Sequence, residues 1–300
     1  MCRSKELGGR RCSSAHDPEK VASYNARRRE KYALTKVISP ETAALFAPLH
    51  EVHHLTKDME RKHWSEAGEF AGKANKLALW DKWTMPIHFD NLEYGDPMQP
   101  ENILPYYTEG GYEKISNHLN GFRMDENDPE RLAHNHTPEQ TAWLADVVTK
   151  MDGLLEKATP PEEPRVLYRG MAIKYTVKKK DVRNWVAENF PVGGVISQKS
   201  YMSTTLSAGT ASRKFAYSID PTSDRSVIME FVTKQGAPLG ETTSFLGQTE
   251  NEVLMPREAK FKVVSVNYGV PYKVGANFYT TDKVSEGKRT VIRLVDASED

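Results

Sequence analysis

Two glutamates, Glu250 and Glu252, stand two positions apart in the run GQTENEVLMP, where a loop enters a short apolar strand. Side chains alternate faces along a strand, so this spacing puts both carboxylates on one side. Paired acids on one face repel and drive their pKa values apart, as acid–base chemistry requires, although a solvated strand edge explains an isolated Glu-x-Glu equally well. Arg169 lies inside another apolar strand, VLYRG. Its planar fork of donors is costly to bury unless it meets a carboxylate or a pair of phosphates, which leaves a structural ion pair and an anion site as the two readings. Ser203, Thr204 and Thr205 follow Tyr201-Met202 as a run of hydroxyls. Such a run can orient a neighbouring carboxylate, and it is also ordinary strand and turn material.

The other nucleophiles and metal ligands are distributed unevenly. All nine histidines precede residue 137, and both cysteines, Cys2 and Cys12, lie near the N-terminus, so the last 164 residues contain neither type. A Ser-His-Asp triad, a Cys-His pair or a His-ligated zinc therefore cannot be built from that half alone. The N-terminal third holds the rival motif. HEVHH, residues 50–54, fits H-E-x-x-H, with His50 and His54 one helical turn apart as zinc ligands and Glu51 as base. The longer metzincin pattern fails, because Lys57 and Glu60 stand where Gly and a third His belong. The alternative is an exposed polar helix face. Cys2, Cys12 and His16 match no zinc spacing.

The elements that must carry these residues change character along the chain. Residues 21–34, 41–55 and 66–83 place apolar residues at three- and four-residue spacing, which predicts helices. Asp17-Pro18 and Ser39-Pro40 open the first two as N-cap and N1 pairs. Residues 85–110, rich in Pro, Asn, Asp and Gly, read as a connector, so the chain divides into 1–95 and 96–300. Two more helices follow, YEKISNHLN and PEQTAWLADVVTKMDGLLEKA, before the stop at TPPEEP. From Val166 the period becomes that of strands: VLYRG, SYMSTT, SVIMEFV, EVLMP, FKVVSVNY and RTVIRLV, interrupted by helical VKKKDVRNWVAENF and AGTASRKFAYSI. Helices first and strands later predict an α+β fold.

Zero net charge, from 41 basic and 41 acidic residues, argues against an electrostatic grip on nucleic acid by the whole protein. Residues 1–36 nevertheless carry +6, with Arg27-Arg28-Arg29 at their centre, so a basic head is expected to contact nucleic acid or an acidic protein if it contacts anything. A solvated helix face is the plainer reading. No apolar run approaches membrane-spanning length, and the basic N-terminus lacks an apolar stretch behind it. No membrane contact is expected; action in a cytoplasm, or after delivery by a phage particle or secretion machine, is.

Taken in order, Arg-Gly, then an aromatic before Ser-Thr-Thr, then Glu-x-Glu-Val-Leu-Met-Pro resembles the R-S-E class of mono-ADP-ribosyltransferases. The resemblance is to arginine-modifying toxins of the clostridial binary type and their bacteriophage relatives. It spans about residues 105–300, since YYTEGGYEKISNHLNG is similar to the tyrosine-rich entry to that domain. It departs from the usual Ser-Thr-Ser at Thr205 and has Tyr201 where Phe is frequent.

The resemblance implies a helical N-terminal region followed by a mixed domain of two packed β-sheets flanked by helices. It implies NAD as a consumed substrate, no metal, and a target protein carrying the acceptor arginine. Arg169 would bind the NAD phosphates and ribose, the Gly170 backbone would meet the carboxamide, and Ser203 with Thr204 would complete the NAD contacts. Ser203 would also hold the catalytic glutamate, Glu252, on the nicotinamide ribose. Glu250 would face the acceptor, and residues 240–249 would form the recognition turn, with Phe245 and Gln248 as contacts. Gln248-Thr249-Glu250 offers a competing Gln-x-Glu register, which in this family points to non-arginine acceptors, including nucleic-acid bases. An NAD glycohydrolase, with water as acceptor, is the second function in view.

Overall fold

A computed structural model of the chain describes residues 18–49, 51–75, 104, 107–121, 137–174, 176–216, 224–239, 250–274 and 285–297. Two compact units result, Met1–Pro48 and Leu49–Asp300.

The first unit contains α1 (Pro18–Leu34) and α2 (Pro40–Leu45). Ser39 caps α2 by accepting from the Thr42 backbone N–H, with Pro40 at its first turn, as the sequence predicts. From Tyr24 to Arg29 every described residue of α1 is exposed, and Leu34 is its buried anchor.

The second unit opens with β1 (Val52–His53) and α3 (Lys57–Asn75). A helix through residues 41–55 does not form. Phe46 is already extended two residues before Pro48, whose ring disfavours a helical predecessor. Val52 and His53 instead pair in parallel with Lys273 and Val274. The H-E-x-x-H reading fails on this point: the segment is strand where the motif needs one helix face. His53 is 5% exposed and stacks on Tyr272 at 4.4 Å, so it is not a polar surface residue, and His54, the described member of the expected ligand pair, is exposed and follows the strand rather than lying on a helix. His50 lies outside the described residues. Among the described residues no cluster of His, Cys, Asp and Glu suits a metal, and no helix is long and apolar enough to cross a membrane.

A single π-turn, Tyr107–Gly111, leads into α4 (Tyr112–Leu119). The long helix α5 (Pro138–Leu155) follows, opened by a reciprocal capping box between Thr137 and Gln140. The strands then come in succession: β2 (Arg165–Ala172), β3 (Val195–Ser197), β4 (Met202–Thr205), β5 (Ser226–Thr233), β6 (Ala237–Pro238), β7 (Glu252–Met255), β8 (Lys260–Val274) and β9 (Ser285–Asp296). Helix α6 (Val182–Asn189) lies between β2 and β3, and a short helical turn with a π-segment, Ala208–Phe215, follows β4.

The α+β class holds. The two sheets expected are two halves of one hydrogen-bonded sheet, in the order β1-β8-β9-β5-β2-β4-β7-β6, with β3 beside β8. The halves join at β2 and β4 through one pair, Tyr168 with Thr205. They close over a shared core in which Leu167 and Phe231 meet Met202, Val253 and Met255. Strands β1, β3 and β6 are too short to leave a period-2 pattern in the sequence. On the other side, α3, α4 and α5 supply Phe70, Ile115, Leu144 and Met151 to a second core with Leu239 and Leu254. Helix α3, which the sequence reading groups with the head, is therefore part of the larger unit.

Gly170 marks a close approach. A Cβ there would stand 2.0 Å from the Ala211 carbonyl oxygen and 2.6 Å from the Ala216 nitrogen. Both are backbone atoms, so Gly170→Ala forces the π-segment off β2. The expected cost is about 2–3 kcal/mol, and a thermal melt followed by circular dichroism should show a midpoint lowered by about 5–10 °C. An unchanged midpoint would mean that the segment yields freely.

Candidate active site

Strands β2, β4 and β7 are consecutive neighbours, and their registers bring the three sequence clusters together. Thr205 sits opposite Glu252 and Ser203 opposite Leu254. Residues 203, 205 and 252 thus share one face of the ladder, with Ser203 diagonal to Glu252. Arg169, next along β2 from Tyr168, donates from Nη1 to the Ser203 carbonyl oxygen at 2.7 Å. That contact fixes the arginine across the β2–β4 junction.

The two threonine hydroxyls of the run are spent on architecture. Thr204 donates to the Val253 carbonyl oxygen at 2.7 Å, and Thr205 donates to the Glu250 carbonyl oxygen while accepting from the Ser207 N–H at 2.9 Å. Ser203, half-buried, directs its hydroxyl at the phenol of Tyr107.

The carboxylates are not placed by strand alternation. The strand begins at Glu252, and Asn251 before it adopts a left-handed conformation with φ 48°. Asn tolerates that region better than most residues. Glu250 consequently lies off the strand, held through its own carbonyl by Thr205. Both glutamates nonetheless line the same cavity, because the turn at Asn251 returns Glu250 to it.

That cavity, about 650 Å³ in volume, is lined by Arg169, Gly170, Ser203, Thr204, Glu250 and Glu252 together. The six residues selected in the described sequence therefore meet at one place; Phe245 and Gln248 lie outside the described residues. Its size suits a ligand of dinucleotide scale.

Aromatic rings that sequence reasoning did not place at the site complete the wall. Tyr107 is 4% exposed, and its ring stands 6.0 Å from that of Tyr201 and 6.3 Å from that of Tyr112. Burial pushes the Tyr107 phenol up to about 12, with the nearby Glu252 charge adding to it and Ser203 and Arg169 opposing it. The phenol is thus a neutral donor beside the carboxylate at pH 7. Tyr112 donates to Glu113 at 3.2 Å, and burial, Glu113 and Glu250 all raise its pKa. Phe215, on the π-segment, is a second exposed aromatic at the cavity wall, after Tyr112. The available signal was the five-residue spacing of Tyr107 and Tyr112, which suits a π-turn, and such turns cluster at functional sites.

Burial lowers the Arg169 pKa, and Tyr107 and Glu252 partly restore it. The guanidinium keeps its charge at neutral pH in a poorly solvated place, where attraction to an anion is strong. Tyr201 is held from behind. Its hydroxyl donates to Asp152 at 2.7 Å, Asp152 accepts from Arg257 Nε at 2.8 Å, and burial followed by Asp152 raises the phenol pKa.

A desolvated cation, neutral phenols and two carboxylates around one cavity suit an anionic substrate and carboxylate-assisted chemistry. Residues 87–296 match the ADP-ribosyltransferase exoenzyme family, and the chain belongs to that family. Its activity is mono-ADP-ribosylation with NAD as the consumed substrate. No curated protein matches the chain. Among solved structures it is similar to the Vis toxin from Vibrio splendidus, with 14% identity over 83% of this chain and 90% of that one at a TM-score of 0.44. It is also similar to an ADP-ribosyltransferase from Clostridium botulinum, with 13% identity over 82% and 99% at a TM-score of 0.45. The Clostridium limosum C3 exoenzyme is a third, with 19% identity over 77% and 94% at 0.42.

Proposed function

We propose that the chain transfers ADP-ribose to an arginine side chain of a target protein, with Glu252 and Glu250 in separate roles and residues 96–300 containing the catalytic domain. The observation that supports this best is the placing of both carboxylates in one cavity with Arg169, one from a strand and one from the turn before it. Arg169 holds the NAD pyrophosphate, and Gly170 lets the backbone approach the carboxamide. Glu252 meets the nicotinamide ribose, where positive charge develops as nicotinamide departs. Ser203 helps keep that carboxylate aligned through the Tyr107 phenol, which its hydroxyl meets beside Glu252. Glu250 receives the proton of the incoming guanidinium, a poor nucleophile while protonated, with a pKa above about 12. The carbon–nitrogen bond to nicotinamide breaks, the bond from guanidinium nitrogen to ribose C1 forms, and the guanidinium proton passes to Glu250.

The enzyme is proposed to act in a host-cell cytoplasm, on a protein, with the basic surface of α1 available to acidic partners. Incubation with labelled NAD, with and without agmatine and a host-cell lysate, tests the acceptor. Label on agmatine and on a lysate protein is expected. Nicotinamide release with no labelled acceptor would make the protein a glycohydrolase instead, and label removed by nuclease would point to nucleic acid.

A further inference from the structure

Helix α3 lies outside the residues that match the family, yet it reaches the strand pair carrying Glu252. His63 on α3 is 1% exposed, and its Nε2 stands 3.0 Å from the Leu239 carbonyl oxygen. A carbonyl only accepts, so Nε2 carries the hydrogen and Nδ1 holds the lone pair. Burial, with the positive charge of Arg165 adding to it, brings the His63 pKa down to about 4, so the ring is neutral in working conditions.

Leu239 is the residue through which this contact continues. Its backbone N–H donates to the Glu252 carbonyl oxygen at 2.8 Å, one step beyond the pairs Ala237 with Leu254 and Pro238 with Val253. His63 and Glu252 are therefore joined by a single peptide residue. One turn along α3, Glu66 accepts from Arg165 Nη1 at 3.2 Å, and Arg165 Nη2 donates to the Gly236 carbonyl oxygen at 2.9 Å. A further turn on, Phe70 packs in the same core as Leu239 and Leu254. One face of α3 thus grips both flanks of β6, at Gly236 and at Leu239. Strand β6 is the edge of the sheet, two residues long, with β7 as its neighbour. An edge strand this short has little ladder of its own to fix its position.

We propose that His63 is a positioning residue for the reaction, setting through Leu239 the height at which β7 presents Glu252 to the cavity. This rests on the assignment of Glu252 as the glutamate that meets the ribose. Arg169, which holds the NAD pyrophosphate in that assignment, is fixed separately, by its bond to the Ser203 carbonyl across the β2–β4 junction. Loss of the imidazole donor should therefore act on turnover and leave NAD affinity alone.

The test is a series at position 63, measured as nicotinamide release per folded molecule, with the folded fraction taken from circular dichroism. His63→Leu removes the donor and is expected to lower kcat about tenfold with KM for NAD within about twofold. His63→Gln places an amide N–H near the lost Nε2–H and should restore kcat to within about threefold of the parent. His63→Asn, polar but too short to reach Leu239, should resemble His63→Leu, and it replaces that variant if the apolar one fails to fold. A merely structural histidine would lower the melting temperature in all three and leave kcat per folded molecule at the parent value. That result, or equal losses in His63→Gln and His63→Asn, overturns the proposal. Glu252→Gln is assayed beside them. If it is inactive while the position-63 variants turn over normally, this inference alone fails; if it remains active, the assignment of Glu252 fails and this inference falls with it.

Discussion

Glu252→Gln is expected to lower both nicotinamide release and ADP-ribose transfer by about a thousandfold, equivalent to about 4 kcal/mol of transition-state stabilisation. The substitution keeps the shape of the side chain and removes its charge. It also spares the backbone contacts that hold the residue, to Leu239 and in the pairing with Thr205. Folding and the melting temperature should therefore be unchanged. NAD should still bind within a few-fold of the parent affinity, since Arg169 keeps its bond to the Ser203 carbonyl and its place on the cavity wall. What disappears is a negative charge beside the ribose at the moment positive charge forms there. The effect belongs to kcat for every acceptor, water included. Single-turnover cleavage with NAD binding measured in parallel decides it: a variant that binds NAD normally and cleaves it within tenfold of the parent rate would remove Glu252 from the chemistry.

The placing of Arg169, Ser203 and Glu252 in one cavity was legible because each sits in a short apolar run with strand character, and β2, β4 and β7 are adjacent in the sheet. Local pattern named the strands, and the order of motifs named the partners. The route by which Glu250 arrives was not legible. Alternation predicts a shared strand face, whereas the left-handed Asn251 ends the strand one residue too early for that. HEVHH misleads for a related reason. Its helical spacing is local, but the parallel pairing of β1 with β8 joins residues more than two hundred positions apart and overrides it. The tyrosine wall was half visible: the tyrosines of YYTEGGY marked an entry to the domain, but that Tyr107 faces Ser203, with its ring edge-on to Tyr201, depends on a π-turn. The role of α3 left no local signal, since a buried histidine bonded to a carbonyl 176 positions away looks in sequence like any other helical residue.

Glu250→Gln should separate two activities that Glu252→Gln removes together. Transfer to agmatine is expected to fall by about a hundredfold or more, the usual contribution of a positioned general base, while hydrolysis of NAD stays within about fivefold. Water needs less help than a guanidinium. Its attack on a nearly free oxocarbenium requires little proton removal beforehand, whereas the guanidinium has no available lone pair until its proton is drawn off. Glu250 is suited to that step by where it stands. It lies off the strand, at the cavity wall beside Tyr112, whose phenol its charge helps to raise. The Thr205 hydroxyl holds its backbone, so the amide variant should keep the carboxylate's position. Agmatine-dependent and agmatine-independent nicotinamide release, compared in one preparation, give the ratio directly. A fall in transfer alone assigns the proton to Glu250. Equal falls in both would mean that the two glutamates act on NAD as a pair, and the acceptor would then have to be sought through the Gln248 register and its non-arginine substrates.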